Sequence, residues 1–291
     1  MEANIKTVSA VLDAPAPHMV GEGFRVHNFF PNGYRIKMSP FFLLDYNAKI
    51  EFSARNEPRG VGVHPHRGFE TVTIAYHGAV AHHDSAGNSG VIHPGDVQWM
   101  TAASGILHKE YHEEAFSKKG GAFQMVQLWV NLPAKYKMSK PKYQEIKHAD
   151  MAKYELPDAA GLVEVIAGEY NGLKGSASTF SPLNLYNIRL NKSGRAKLSF
   201  PANYNTGMVI IEGEIKVNGE QVAAADHFVH FNHDGSQIEI EALENSIVLV
   251  LSGEPIDERI TQYGPFLMNT PEEIKEAIND YNQGKFGYLE E

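Results

Sequence analysis

Short apolar stretches recur along the chain, alternating or nearly continuous, and each is closed by turn-forming residues. In the first half they fall at 61–63, 70–76 (ETVTIAY), 97–100 and 124–130 (QMVQLWV). Runs of this length, rich in β-branched and aromatic residues, predict strands. Between them stand His77-Gly78, Ser85-Ala86-Gly87-Asn88 and Pro94-Gly95-Asp96, combinations that favour tight turns. Strands at this spacing predict a sandwich or barrel rather than alternating strand–helix units. A second series follows at 161–170, 183–190, 208–215, 216–222, 237–241 and 246–251, with Asn218-Gly219 as a hairpin turn. The two halves match in length and strand density, which suggests two copies of one β fold.

The texture changes at 133–158, PAKYKMSKPKYQEIKHADMAKYELPD. This Lys- and Pro-rich stretch reads as a linker, or as a short exposed helix. The expected division is therefore a first domain at 1–134, a linker at 135–160 and a second domain at 161–291. Near the end, Asn269-Thr270-Pro271-Glu272-Glu273-Ile274 predicts a helix start. Thr270 suits the N-cap, Pro271 the first helical position, and Glu273 completes a capping box. The helix is expected to run to Tyr281 and to pack Ile274, Ala277, Ile278 and Tyr281 onto a barrel.

The 291-residue chain is 43% apolar, enough to bury real cores. Its formal net charge is −9, which makes nucleic acid and anionic membrane poor partners. It has no cysteine, so disulfides, zinc–thiolate sites and a thiol nucleophile are excluded, and any metal is held by His and carboxylate. The N-terminus lacks a signal-peptide pattern, and no stretch approaches the roughly 20 apolar residues of a membrane span. The cytoplasm is the simplest location.

Histidine is unevenly placed: eight of the 14 lie between His64 and His112. His64, His66 and Glu70 share one parity, so in a continuous strand they face one side. Pro65 cannot donate to a sheet ladder, which implies an edge strand or a rim. His108 and Glu110 form a second same-face pair, and His112 shares their parity. Together these supply more than enough ligands for one mononuclear site. Imidazole and carboxylate without sulfur suit Fe(II), Mn, Co, Ni or Cu. Three His and one carboxylate leave two octahedral positions open, as a catalytic site requires. Spacing alone leaves Glu70 and Glu110 both open as the carboxylate.

Other polar residues draw ordinary readings. His82-His83-Asp84 precede a turn and read as hairpin surface, and His77 reads as structural. His112 lines or borders the pocket. His227, His230 and His233, spaced by three, read as structural or surface. Residues such as Trp99, Met100, Gln127 and Trp129 read as core, with some lining a cavity mouth if a ring-shaped substrate enters.

The pattern Gly62-Val63-His64-Pro65-His66, Glu70, Gly78, then Pro94-Gly95-Asp96 and Gly105-Ile106-Leu107-His108 resembles the two cupin motifs. The runs HPHRGFETVT, PGDVQWMTAASGILHKE, QLWVNLP and QYGPFLMNTPEEI…GKFG are similar, in order, to the pirin family. They span nearly the whole chain. The resemblance implies an all-β bicupin: two β-barrel (jelly-roll) domains face to face, with a short C-terminal helix. It implies iron in the N-terminal barrel, on His64, His66, His108 and Glu110, and so favours Glu110 over Glu70. The second half has no such set; its counterpart stretch LSFPANYNT carries no His, Asp or Glu.

Pirins resemble quercetinases, so the expected activity is a metal-dependent quercetin 2,3-dioxygenase. Dioxygen would open the central ring of a flavonol with loss of carbon monoxide. Glu110 or Glu70 would act as base toward the flavonol hydroxyl, and Fe(2+), or another divalent ion, would be the cofactor. The other expectation is an iron-dependent redox-sensing regulator that binds a protein partner. A monomer is expected from the family.

Overall fold

The computed structural model describes residues 4–291, and its regular structure is almost wholly antiparallel strand. It divides into two compact units. One comprises residues 16–35, 41–148 and 256–291, the other 1–15, 36–40 and 149–255.

The first unit has a seven-stranded sheet, in order Lys142–Ile146, Val97–Thr101, Phe69–His77, Gly121–Asn131, Phe41–Phe52, Phe24–Phe30 and His18–Val20. Its four-stranded sheet runs Gly60–His66, Ile106–His112, Val80–Asp84, Ser89–Ile92. The second unit repeats this plan. Seven strands run Val8–Leu12, Phe228–Phe231, Asn205–Glu212, Ser246–Gly253, Leu183–Leu190, Gly161–Ala167 and Ala152–Glu155, beside four in the order Arg195–Ser199, Gln237–Ala242, Glu214–Val217 and Gln221–Ala224. The duplication expected from strand density is thus a duplication of topology. Asn218 and Gly219 turn the expected hairpin with φ of 52° and 73°, the left-handed region that such turns demand.

What fills each sandwich differs. In the second unit one continuous apolar core joins both sheets: Val163, Val165, Ile188 and Val248 from the larger sheet meet Leu198, Ile215, Ile238 and Ile240 from the smaller. Burying each such side chain is worth about 1.5–3 kcal/mol. In the first unit an apolar cluster, including Phe24, Val80, Phe123 and Met125, fills only part of the interior. The rest is polar and holds the histidines.

The stretch read as a linker carries regular structure instead. Lys142–Ile146 is an edge strand paired with Val97–Thr101, and Ala152–Glu155 pairs with Gly161–Ala167. Lysines on the exposed positions mask the alternation of Tyr143, Ile146, Tyr154 and Leu156. Charge on an edge strand is also how proteins discourage edge-to-edge pairing. The terminal segments group differently from a simple cut in the linker: residues 1–15 join the second unit and 256–291 the first.

The C-terminal helix spans Pro271–Asn282 with the expected capping box. The Glu273 N–H donates to Thr270 Oγ1 at 3.2 Å, and the Thr270 N–H donates to Glu273 Oε2 at 2.9 Å. Ile274 and Ala277 are buried and Ile278 packs beside them. Tyr281 does not share that face; it is 41% exposed, and Asp280 is buried in its place. Arg67 is the reason, because it supplies Asp280 with an ionic partner.

Candidate metal centre

Gly60–His66 and Ile106–His112 run antiparallel, with His64 directly opposite His108 and His66 opposite Ile106. Gly60–His66 is the edge of its sheet, as Pro65 required. This register, plus the two-residue period, gathers three imidazoles. Ring centroids lie 4.2 Å apart for His64 and His108, 4.7 Å for His66 and His108, and 4.9 Å for His64 and His66. One ligand nitrogen from each falls within 4.8 Å of the others.

The three rings are prepared to bind a cation. His64 Nδ1 donates to the Gly62 carbonyl at 2.8 Å, which leaves Nε2 as the bare, lone-pair nitrogen. His66 and His108 are buried. Burial first, then the neighbouring histidines, hold both rings well below the usual imidazole range, so they are neutral. His66 Nδ1 and both nitrogens of His108 have no hydrogen-bond partner in the protein. Buried polar atoms are nearly always satisfied, and a divalent transition ion satisfies neutral imidazoles with no sulfur nearby. The donor set therefore fits the metal that the sequence called for.

The carboxylate question has a geometric answer. Glu110 groups with His108 and His82, its ligand atom within 4.8 Å of theirs. Thr73 Oγ1 donates to Glu110 Oε1 at 3.2 Å and Gln127 Nε2 to Oε2 at 2.8 Å. Glu70 lies elsewhere. The chain does not continue as one strand from His66 to Glu70; Gly68, at φ 92°, turns it from the small sheet into the large one. A Cβ at Gly68 would stand 2.0 Å from the Leu267 carbonyl oxygen. Thr73 faces Glu110, so Glu70, of opposite parity on the same strand, points away from the histidines. It accepts instead from Thr101 Oγ1 at 2.7 Å, and burial raises its carboxyl to about 7.

His82 was read as hairpin surface, and the structure corrects this. Its side chain is fully buried and its ring centroid lies 5.5 Å from that of His108. Tyr143 stacks on it at 5.4 Å. Its neighbour His83 does face outward and bonds the Tyr111 hydroxyl at 2.8 Å. The missed signal was parity: His82 and Asp84 alternate with His83. His112 is not a wall of the centre; its Nε2 meets the Gly23 carbonyl at 2.8 Å among Phe24, Phe52, Phe116 and Phe123.

Beside the centre lies an aromatic wall. Phe69 stacks on Trp129 at 4.2 Å, and His66 meets both rings edge-on at 5.0 and 5.4 Å. Phe42 stacks on Trp129 at 6.4 Å. Trp129, Gln127, Phe42 and Tyr143 are half-buried and give a planar molecule a surface to lie against. Trp99, by contrast, is wholly buried core.

In the second unit the corresponding strands carry Leu198 opposite Ile238 and Ala196 opposite Ile240, all buried. Apolar side chains occupy the places where the first unit has His and Glu. His233 bonds Asn205 Oδ1 at 2.9 Å and His227 meets the Ala224 carbonyl.

Residues 23–130 match the Pirin family and residues 185–287 the Pirin C-terminal cupin domain. A Pseudomonas aeruginosa protein provisionally named a quercetin 2,3-dioxygenase is 46% identical over 283 residues, covering 97% of this chain and 99% of the relative. The crystal structure of a quercetin 2,3-dioxygenase from Acinetobacter baumannii superposes with a TM-score of 0.92 at 46% identity, covering 98% of this chain and all of that one. An Escherichia coli pirin solved in complex with nickel(II) shares the fold at 21% identity and a TM-score of 0.66, over 85% of this chain and 99% of that one.

Proposed function

The chain belongs to the pirin family, and from that premise we propose that it is a mononuclear metal-dependent dioxygenase that opens flavonols such as quercetin with O2. We assign Fe(II) as its resident metal and His64, His66, His108 and Glu110 as the ligands. The observation that carries this reading is the buried trio of neutral imidazoles beside Glu110, their free nitrogens converging on one point. The quercetinase assignment draws on the two relatives of 46% identity. Iron is assigned on donor chemistry: nitrogen and oxygen ligands with open positions suit a redox-active first-row ion. No described helix is long and apolar enough to cross a membrane, and the reading is of a monomeric cytoplasmic enzyme.

The bound ion supplies Lewis acidity that lowers the pKa of a coordinating hydroxyl, along with open positions for exchangeable ligands. The chain's own residues do the rest. Trp129, Phe69 and Phe42 hold the planar flavonol and exclude water from its reacting face. Glu110 receives the proton of the flavonol hydroxyl on a carboxylate oxygen. Thr73 and Gln127 hold both Glu110 oxygens in place, so the base is oriented before substrate arrives. Held there, the flavonolate meets dioxygen with much of the entropy cost already met. One O2 is consumed and one carbon monoxide released per ring opened.

The test compares His108→Ala, Glu110→Gln and Glu70→Gln for metal content and for quercetin turnover. Loss of both in the first, loss of turnover in the second and retention of both in the third support the reading. A His108→Ala protein that keeps metal and full activity overturns it.

A further inference from the structure

We propose that His82 is a fifth protein ligand of the resting metal centre, so that the ion takes four imidazole nitrogens and one carboxylate. The inference rests on the metal-centre reading above and extends it to a residue outside the two motifs.

Topology places His82 there. Val80–Asp84 flanks Ile106–His112 on the side away from Gly60–His66. In that ladder His82 lies directly opposite Glu110, and Asp84 opposite His108. Directly paired residues on neighbouring strands project to the same face, so His82 enters the interior with Glu110. Its ligand atom lies within 4.8 Å of those of both His108 and Glu110. The two three-residue groups thus share His108 and merge into one ring of donors.

Its surroundings are those of a ligand. The ring is fully buried, and neither nitrogen has a hydrogen-bond partner in the protein. Leaving such a group unsatisfied costs about 1–3 kcal/mol, so a partner is required. Nε2 stands 3.5 Å from Asp84 Oδ2, close enough to orient the ring and leave Nδ1 for the ion. A carboxylate behind a ligating imidazole is the usual second support of a metal histidine. Asp84 is itself anchored, accepting from the Ala86 and Asn88 N–H groups at 2.9 and 3.0 Å. Tyr143, nearly parallel at 13°, fixes the plane of the ring. With five protein ligands an octahedral ion keeps one position open, and release of His82 opens the second.

The experiment counts nitrogens. The full chain is loaded with one equivalent of Cu(II), and coordinated imidazoles are counted by pulsed electron paramagnetic resonance in unlabelled and 15N-histidine protein. The expected count is four in the wild type, three in His82→Gln and four in His83→Gln. Chelator competition should show 10–100-fold weaker binding in His82→Gln. A wild-type count of three overturns the proposal whatever the affinity of the variant, because a residue acting only through Glu110 changes affinity without adding a nitrogen. That wild-type count stands even if His82→Gln does not fold. A chain that binds no ion, or a His108→Gln variant with an undiminished count, overturns the centre itself and this inference with it.

Discussion

Arg67 Nη2 lies 2.9 Å from Asp280 Oδ2, so the residue that follows His66 is tied to the C-terminal helix 213 positions away in sequence. Arg67 Nε also donates to the Ser104 carbonyl at 2.7 Å, and its guanidinium lies 4.7 Å from the centre of the Phe286 ring. The chain end is thereby clamped to both ligand strands, since the Ser85 hydroxyl bonds the Phe286 carbonyl and the Leu107 N–H bonds Ser85 Oγ. This explains why residues 256–291 belong with the first unit.

Arg67→Ala should therefore loosen the metal centre without touching a ligand. Removing one partner of a buried, hydrogen-bonded ion pair is expected to cost on the order of 2 kcal/mol or more. Urea unfolding should show that loss, and chelator competition should show a faster loss of metal. A variant with wild-type stability and metal retention would contradict the clamp.

Glu70 should set the alkaline side of the stability profile. Burial raises its carboxyl from 4.5 to about 7, against the opposing hydrogen bond from Thr101. The folded protein thus binds a proton that the unfolded chain releases, and stability falls as pH rises from about 4.5 to about 7. The loss is on the order of 3 kcal/mol. Glu70→Gln should flatten that slope and keep its metal. Denaturant titrations at pH 5 and 8 test this, and equal slopes in both proteins would contradict it.

The acid side belongs to the histidines. His66 and His108 are held well below the usual imidazole value, and His112 falls to about 4, in each case chiefly by burial. The unfolded chain takes up these protons first, so the metal-free protein should lose stability as pH falls below about 6.5. For the same reason protons compete poorly for the ligand nitrogens, and the loaded protein should keep its metal below pH 6. Half-release at pH 6.5 or above would show that the rings are ordinary.

Gln127→Met should lower kcat about tenfold with little change in KM. The side chain orients Glu110 through a 2.8 Å hydrogen bond, and base positioning is felt in the chemical step more than in ground-state binding. A change confined to KM would assign Gln127 to substrate binding instead.

Much of this was legible in the sequence, because alternation and turn chemistry are local. The Thr270–Glu273 capping box, the Asn218-Gly219 turn and the pairs His64/His66 and His108/Glu110 all follow from spacings of a few residues. What was illegible depended on where strands end and which strands adjoin. Parity carried from His66 to Glu70 fails because Gly68 turns the chain into another sheet, and nothing in HPHRGFE marks that break. His82 was hidden by His83; only pairing with Ile106–His112 shows that it faces inward. The edge strand Lys142–Ile146 was masked by the lysines that protect it.

The most direct test of the central claim is gas exchange by the reconstituted protein. The chain is loaded anaerobically with Fe(II), metal per chain is measured, and quercetin and oxygen are then supplied. One metal per chain, with one O2 consumed and one carbon monoxide released per quercetin, and neither gas exchanged by His108→Ala, is the predicted result. One metal per chain with no oxygen uptake on any flavonol would contradict the dioxygenase.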